Sequence, residues 1–70
     1  MMPLTFAKAG ELNSIKKITG KDETRLFLEK LGFTIGGEVI VVSEMAGNVI
    51  VNVKESRVAI SKELAKRILV

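Results

Sequence analysis

The stretch from Asp22 to Val42 constrains the fold of this chain more than any other segment. It opens with DETRLFLEKL, in which acidic residues come first and a lysine comes near the end, the charge order that complements a helix dipole. Gly32 follows, and glycine readily takes the left-handed backbone conformation in which many helices end. A glycine pair at 36–37 then precedes an unbroken apolar run, Val39 to Val42. The stretch predicts a helix over 22–31, a glycine turn and a strand buried on both faces.

Side chains at the two ends of this helix predict how it is capped. Asp22 is the expected N-cap, with its carboxylate accepting hydrogen bonds from the free N–H groups of the first turn. Phe33 is spaced to fold back on Leu28, the apolar contact that accompanies a Schellman ending. At about 100° per residue, Leu28 shares one face with Thr24 and Leu31, and we expect this face to point inward.

Leu26 lies almost opposite that face, among charged residues. An exposed leucine there is a candidate contact for a protein partner. The alternative is a single exposed apolar side chain without a function, which is common on soluble proteins. Because single exposed apolar residues are so common, the second interpretation is favoured at this stage.

The rest of the chain predicts short strands joined by tight turns. Leu12, Ile15 and Ile18 recur every three residues, a spacing that also fits a helix. The flanking glycines and the β-branched residues favour an irregular or bulged first strand instead. The predicted strands are Leu12 to Thr19, Glu38 to Ser43, Val49 to Val53, Arg57 to Ile60 and Arg67 to Val70. The predicted connections between the later strands are Met45 to Asn48 and Lys54 to Ser56.

Two short helical turns are also predicted. Pro3 to Ala9 is expected to form one turn, with Thr5 as its N-cap and with Leu4 and Phe6 packed inward. Ser61 is expected to cap the other turn, which covers Lys62 to Lys66.

Together these elements predict a mainly β fold. Several short strands with tight turns and one inserted α-helix are typical of a small SH3-like barrel. A chain of 70 residues allows one domain, so we expect residues 1–70 to form a single unit with a thin core.

The residue types exclude most catalytic chemistry. The chain has no histidine, cysteine or tryptophan, so imidazole proton shuttles, thiol nucleophiles, disulfides and thiolate metal sites are all excluded. The acidic pair Asp22-Glu23 is interpreted as a complement to the helix dipole and not as a metal site. Gly36-Gly37 lacks the lysine and hydroxyl of a phosphate-binding loop and precedes a strand. We therefore expect no enzyme activity and no bound cofactor.

Charge and hydropathy limit the partners. The net charge of +3 is mild, and the basic residues are interleaved with acids, which favours an ordinary solvated surface over a nucleic-acid-binding one. No apolar run approaches the roughly 20 residues that span a bilayer, so we expect no direct membrane insertion. The N-terminal sequence lacks the pattern of a signal peptide, and a cytoplasmic location is expected.

Several short motifs occur in a fixed order along the chain: Arg25, Leu28, Leu31-Gly32-Phe33, Gly36, Glu38-Val39, Val41-Val42, Arg57 to Lys62 and Ile68 to Val70. Their order and spacing resemble the FeoA-like family, ferrous iron transport protein A. Two departures from the family pattern fall in turns: Ile35 stands where many members have proline, and the loop at 45–48 is shorter than theirs.

The resemblance implies an accessory role in ferrous iron uptake. The expected partner is the cytoplasmic region of the ferrous iron permease, ferrous iron transport protein B, which carries a GTP-binding domain. An SH3-like domain would dock there through an apolar groove with a polar rim. The candidate contact residues are Arg25, Leu26, Phe27 and Lys30 on the helix, with Phe33 added if its packing on Leu28 leaves an edge exposed.

Other functions stay open at this stage. The same fold occurs as the C-terminal domain of iron-dependent repressors, so a free-standing SH3-like regulatory module is the main alternative. A direct iron carrier would have to use oxygen ligands only. A nucleic-acid-binding barrel is a further alternative, and weak self-association through Leu26 and Phe27 is another.

Overall fold

Short antiparallel strands make up most of the structure, a computed structural model that describes all 70 residues. The elements in chain order are a 3₁₀ turn Leu4–Phe6, β1 Leu12–Ser14, β2 Lys17–Ile18, α1 Asp22–Leu31, β3 Glu38–Met45, β4 Asn48–Val53, β5 Ser56–Ser61, α2 Lys62–Ala65 and β6 Ile68–Leu69. The predicted mainly β fold with one inserted helix at 22–31 is confirmed, and strand boundaries move by one or two residues.

The strands form two sheets. Four of them pair in the order β1-β3-β4-β5, and β2 pairs with β6 in a separate two-stranded ribbon. All pairs are antiparallel. The N-terminus extends the ribbon, because Pro3 forms an isolated bridge with Leu69.

The segment predicted as one irregular strand over 12–19 is divided between the two sheets. β1 pairs with β3, and β2 pairs with β6. Ile15, which lies in the break, is 1% exposed, and Ile18 is buried as well. The spacing of three between these isoleucines therefore reflects a strand that changes sheets, since an unbroken strand would bury every second residue.

The C-terminal end of α1 is a Schellman motif, as predicted. Gly32 takes φ 110°, and its N–H donates to the Glu29 carbonyl at 2.9 Å. The Phe33 N–H donates to the Leu28 carbonyl, also at 2.9 Å. The Leu28 and Phe33 side chains are both fully buried, so the apolar contact that accompanies this motif lies in the core.

The prediction that Asp22 caps the start of α1 is wrong. Lys21 has the extended backbone of an N-cap, with φ −71° and ψ 158°, and no side chain caps the helix. Asp22 is already helical, and its carboxylate lies 3.7 Å from the Arg25 guanidinium. Because the N-cap lies one residue earlier than predicted, Asp22 contributes charge near the positive end of the dipole and makes no capping hydrogen bond.

The core contains only apolar side chains. Fourteen residues are buried, none of them polar or charged, and Phe33 is the largest of those that are fully enclosed. On β3, Val39 and Val41 are buried whereas Ile40 and Val42 are half-buried. The prediction that this strand is buried on both faces is therefore wrong, because its second face lies on the outer side of the sheet and keeps partial contact with solvent.

The short helical turns follow the predictions in part. Ser61 caps α2, and its Oγ accepts from the Leu64 N–H at 3.2 Å. At the N-terminus Leu4 is fully buried, but Phe6 is 72% exposed and Thr5 does not cap the turn. In a 3₁₀ turn, side chains two positions apart point in different directions, so Leu4 and Phe6 do not both face the core.

Two-residue turns connect the three longest strands. Ala46 and Gly47 have positive φ in the β3–β4 turn, and Lys54 and Glu55 have φ 46° and 65° in the β4–β5 turn. Positive φ at both central residues is the geometry that suits a tight hairpin. The second turn reaches it without a glycine, which costs conformational energy.

We predict that Gly32→Ala destabilises the fold by about 1–2 kcal/mol, because an alanine at φ 110° is strained. The added Cβ would make only ordinary contacts, at 3.7 Å from Lys54 and Val53, so steric overlap does not account for the loss. Urea denaturation gives the free energy of unfolding. Gly32→Asn is the control and should lose less, since asparagine tolerates left-handed backbone; equal losses would contradict this explanation.

The opposite effect is expected at the second hairpin. Replacing Lys54 and Glu55 by Asn-Gly should stabilise the protein by roughly 0.5–1 kcal/mol, because these residues adopt the left-handed conformation at lower cost. Thermal denaturation monitored by circular dichroism would measure the change. A variant that melts at or below the temperature of the parent protein would contradict the prediction.

Candidate docking surface

A shallow groove runs along the exposed side of α1. Its volume is about 380 Å³. The helix supplies one wall, β2 supplies Ile18, and the glycine turn after the helix supplies Ile35. The lining residues are Ile18, Asp22, Arg25, Leu26, Glu29 and Ile35.

The groove arises from the way α1 is attached to the barrel. Leu28 anchors the helix on one face, and the residues about 180° away therefore face outward. Leu26 is 55% exposed and Ile35 is 70% exposed, although both side chains are fully apolar. These two residues with the buried Ile18 give the groove an aliphatic surface.

Charged groups surround the aliphatic part of the groove. The Arg25 guanidinium lies 3.7 Å from the Asp22 carboxylate, with both side chains more than half exposed. Such an exposed ion pair is weak, so Arg25 can exchange Asp22 for another carboxylate at little cost. Glu29 is exposed and forms no ion pair within the chain. The surface thus combines an apolar centre with charges of both signs at its rim.

Of the five residues selected from the sequence, two line the groove, two are exposed on α1 outside it and one is buried. Arg25 and Leu26 line the groove, whereas Phe27 and Lys30 are exposed on α1 outside it. Phe27 is 49% exposed, and it is turned about 100° around the helix from Leu26. Lys30 lies one turn after Leu26, next to the groove wall.

Phe33 is removed from the candidate surface. The prediction included Phe33 only if an edge of its ring is exposed. The structure does not meet this condition, because Phe33 is 0% exposed. The Schellman hydrogen bond holds its backbone against Leu28 and directs the ring into the core. Its contribution to the surface is indirect, because it fixes the end of α1.

Sequence reasoning missed Ile18 and Ile35. Both lie outside the helix, and Ile18 was assigned to a strand interior, where it is indeed buried. The exposure of Ile35 could have been predicted from the sequence. A large aliphatic residue in a turn between the end of a helix and two glycines has few neighbouring side chains that could bury it.

No three or more acidic, histidine or cysteine side chains come together where they could hold an ion. None of the helices is both long enough and apolar enough to cross a membrane.

The sequence and the structure resemble known proteins over almost their whole length. The model of the FeoA domain family matches residues 2–70. A candidate Fe(2+) transport protein A of Methanocaldococcus jannaschii is 39% identical over 70 residues, which cover 100% of this chain and 85% of that protein. A crystal structure described as iron uptake regulatory protein (FeoA) superposes with a TM-score of 0.86 at 33% identity, covering 96% of this chain and 89% of the other.

Further solved structures bear on the fold class. Stenotrophomonas maltophilia FeoA, solved in complex with zinc and described as a procaryotic SH3 domain protein, has a TM-score of 0.73 at 25% identity, covering 99% of this chain and 88% of that one. The predicted SH3-like fold is confirmed by this likeness. A manganese-dependent transcriptional repressor has a TM-score of 0.84 at 17% identity, with 94% of this chain matching 38% of the repressor. At that identity the repressor shows a shared fold and nothing about function.

The groove geometry predicts different roles for two leucines on the same helix. Leu26→Ala should change the free energy of unfolding by no more than about 0.5 kcal/mol, because the side chain is more than half exposed. Leu28→Ala should cost about 2–5 kcal/mol, because it empties a fully buried position. Guanidinium denaturation of both variants provides the comparison. Similar losses at the two positions would mean that Leu26 has a structural role.

Proposed function

Because this chain belongs to the FeoA domain family, we propose that it is an accessory protein of ferrous iron uptake that docks on the ferrous iron permease. The partner is the cytoplasmic region of this permease. The permease is ferrous iron transport protein B, which carries a GTP-binding domain. In this proposal the protein acts on the cytoplasmic side, has no catalytic role and regulates or supports the permease by binding.

The observation that carries this proposal is the exposed aliphatic groove beside α1. Leu26 and Ile35 both line this groove with more than half of their apolar side chains in solvent. Protein interfaces commonly combine an apolar centre with a polar rim, and the charges around the groove supply such a rim. Arg25 is suited to the rim, since arginine can form two parallel hydrogen bonds to a carboxylate.

The residues outside the groove have secondary roles in the proposal. Lys30, one turn from Leu26, would contribute a rim charge that affects the association rate more than the affinity. Phe27 lies on another side of the helix, so we place it outside the central contact. The proposal therefore gives Leu26 and Phe27 different roles, whereas the sequence alone offered both as contact residues.

The affinity for the partner provides the test. Leu26→Asp should weaken binding to the soluble cytoplasmic region of the permease by at least about tenfold, because it places a carboxylate in the apolar centre of the contact. Isothermal titration calorimetry measures the dissociation constant with and without GTP. The variant should remain folded, since Leu26 contributes little to the core.

Phe27→Asp is the matched control, because it introduces the same charge on the neighbouring residue of the same helix. Its affinity should stay within a few fold of the parent protein. Equal losses for both variants would place the contact on the whole helix and not in the groove. Unchanged affinity of Leu26→Asp, or no binding by the parent protein, would contradict the proposal.

A further inference from the structure

A free strand edge lies on the far side of the molecule's main sheet. The sheet order β1-β3-β4-β5 leaves β5 paired on one side only. Its six residues, Ser56–Ser61, pair with β4 in an unbroken register. The edge is therefore straight and as long as a typical strand.

The backbone groups at this edge can be identified from the pairing. The Lys62 N–H donates to the Gly47 carbonyl at 3.1 Å, and hydrogen-bonded pairs alternate along an antiparallel ladder. The groups of Ser56, Val58 and Ile60 consequently point toward β4. Those of Arg57 and Ala59 point away from it, and no backbone hydrogen bond outside the regular elements uses them. Both residues are exposed, so these groups are available to another strand.

The usual protection against edge pairing is missing from β5. Natural edges are blocked by proline, a bulge, or charged side chains that project over them. β5 contains no proline, and the register shift in this sheet lies in β3 near Val41 and Ser43. The one charged side chain of β5, Arg57, donates from Nε to Asn52 Oδ1 at 3.4 Å, which directs it back across its own sheet.

We propose that β5 is a self-association site, at which a second copy of this chain adds its own β5 in antiparallel orientation. The two-fold axis passes beside Ala59, so that Ala59 faces Ala59 of the second copy. In this register Arg57 faces Ser61, and Val58 faces Ile60. The residues that face each other between the two β5 strands are thus small, neutral or aliphatic. Arg57 of one copy and Arg57 of the other lie four positions apart along the paired strands, so their charges do not face each other.

The choice of a second copy follows from this self-complementarity. A closed two-fold interface requires one surface patch to match itself. Val58 is half-buried at the margin of the core, and pairing with a second β5 would shield its exposed part, whereas Ile60 stays in its own core. The proposed surface is separate from the groove beside α1, so its success or failure does not depend on the proposed function.

Sedimentation equilibrium with the full chain tests this proposal. The weight-average mass should rise from 7.6 kDa toward twice that value as the concentration increases to about 1 mM. Over the same series, amide hydrogen exchange at Arg57 and Ala59 should slow severalfold. Ala59→Lys should keep the mass of the monomer at every concentration, because it places a charge beside the same charge in the second copy.

Ala9→Lys is the matched control, since it adds the same charge to an exposed alanine next to β1, at the opposite edge of the sheet. It should associate like the parent protein, and both variants should give the parent's circular dichroism spectrum. A parent protein that stays at 7.6 kDa throughout would overturn the proposal. Association that persists in Ala59→Lys would also overturn it. In that case, loss of association in Leu26→Asp would show that the two copies meet through α1.

Discussion

The contact between Leu28 and Phe33 determines how the helix and the barrel fit together. Both side chains are fully buried, and the Phe33 N–H donates to the Leu28 carbonyl at 2.9 Å. The interaction joins the last turn of α1 to the chain that leads into β3. Gly32 makes it possible, because the backbone must turn at φ 110° between the two partners. This interaction fixes the end of α1 against the core, and Leu31 packs there as well.

The exposed surface of α1 is a consequence of that single anchored face. Leu28 holds the helix against the core, and Leu26 is then left in solvent beside Ile18 and Ile35. Other apolar side chains of this chain are exposed too, among them Phe6 and Met45. The groove differs from them because its aliphatic residues lie together and are bordered by charges of both signs, as in protein interfaces. This is the link between the fold and the proposed role in ferrous iron uptake.

Local patterns in the sequence predicted the helix and its end because local interactions determine them. A glycine after Leu31 and a phenylalanine one position later are sufficient to specify the Schellman motif. The hairpins and the Ser61 cap were predictable for the same reason. The N-cap of α1 was predicted one residue too late, at Asp22 and not at Lys21, since both residues allow the chain to enter a helix there and only the surrounding structure decides between them.

The remaining features depend on contacts between distant segments, which one sequence does not reveal. The division of residues 12–18 between two sheets requires knowledge of where β3 and β6 lie. The groove combines Ile18, Leu26 and Ile35 from three segments, so the helix pattern identified only one of its apolar members. Phe33 was considered for the surface because its spacing fits both a buried contact and an exposed edge. Phe33 is buried because core residues from several distant segments surround its ring.

An amide NMR titration tests the central claim most directly, namely that this domain binds the permease through the groove beside α1. The unlabelled partner would be the soluble GTP-binding region of the permease, added to the ¹⁵N-labelled domain. The account predicts shift changes at Leu26, Glu29 and Ile35, with smaller changes at Phe27 and none along β5. A spectrum that does not change, or changes confined to surfaces away from α1, would contradict it.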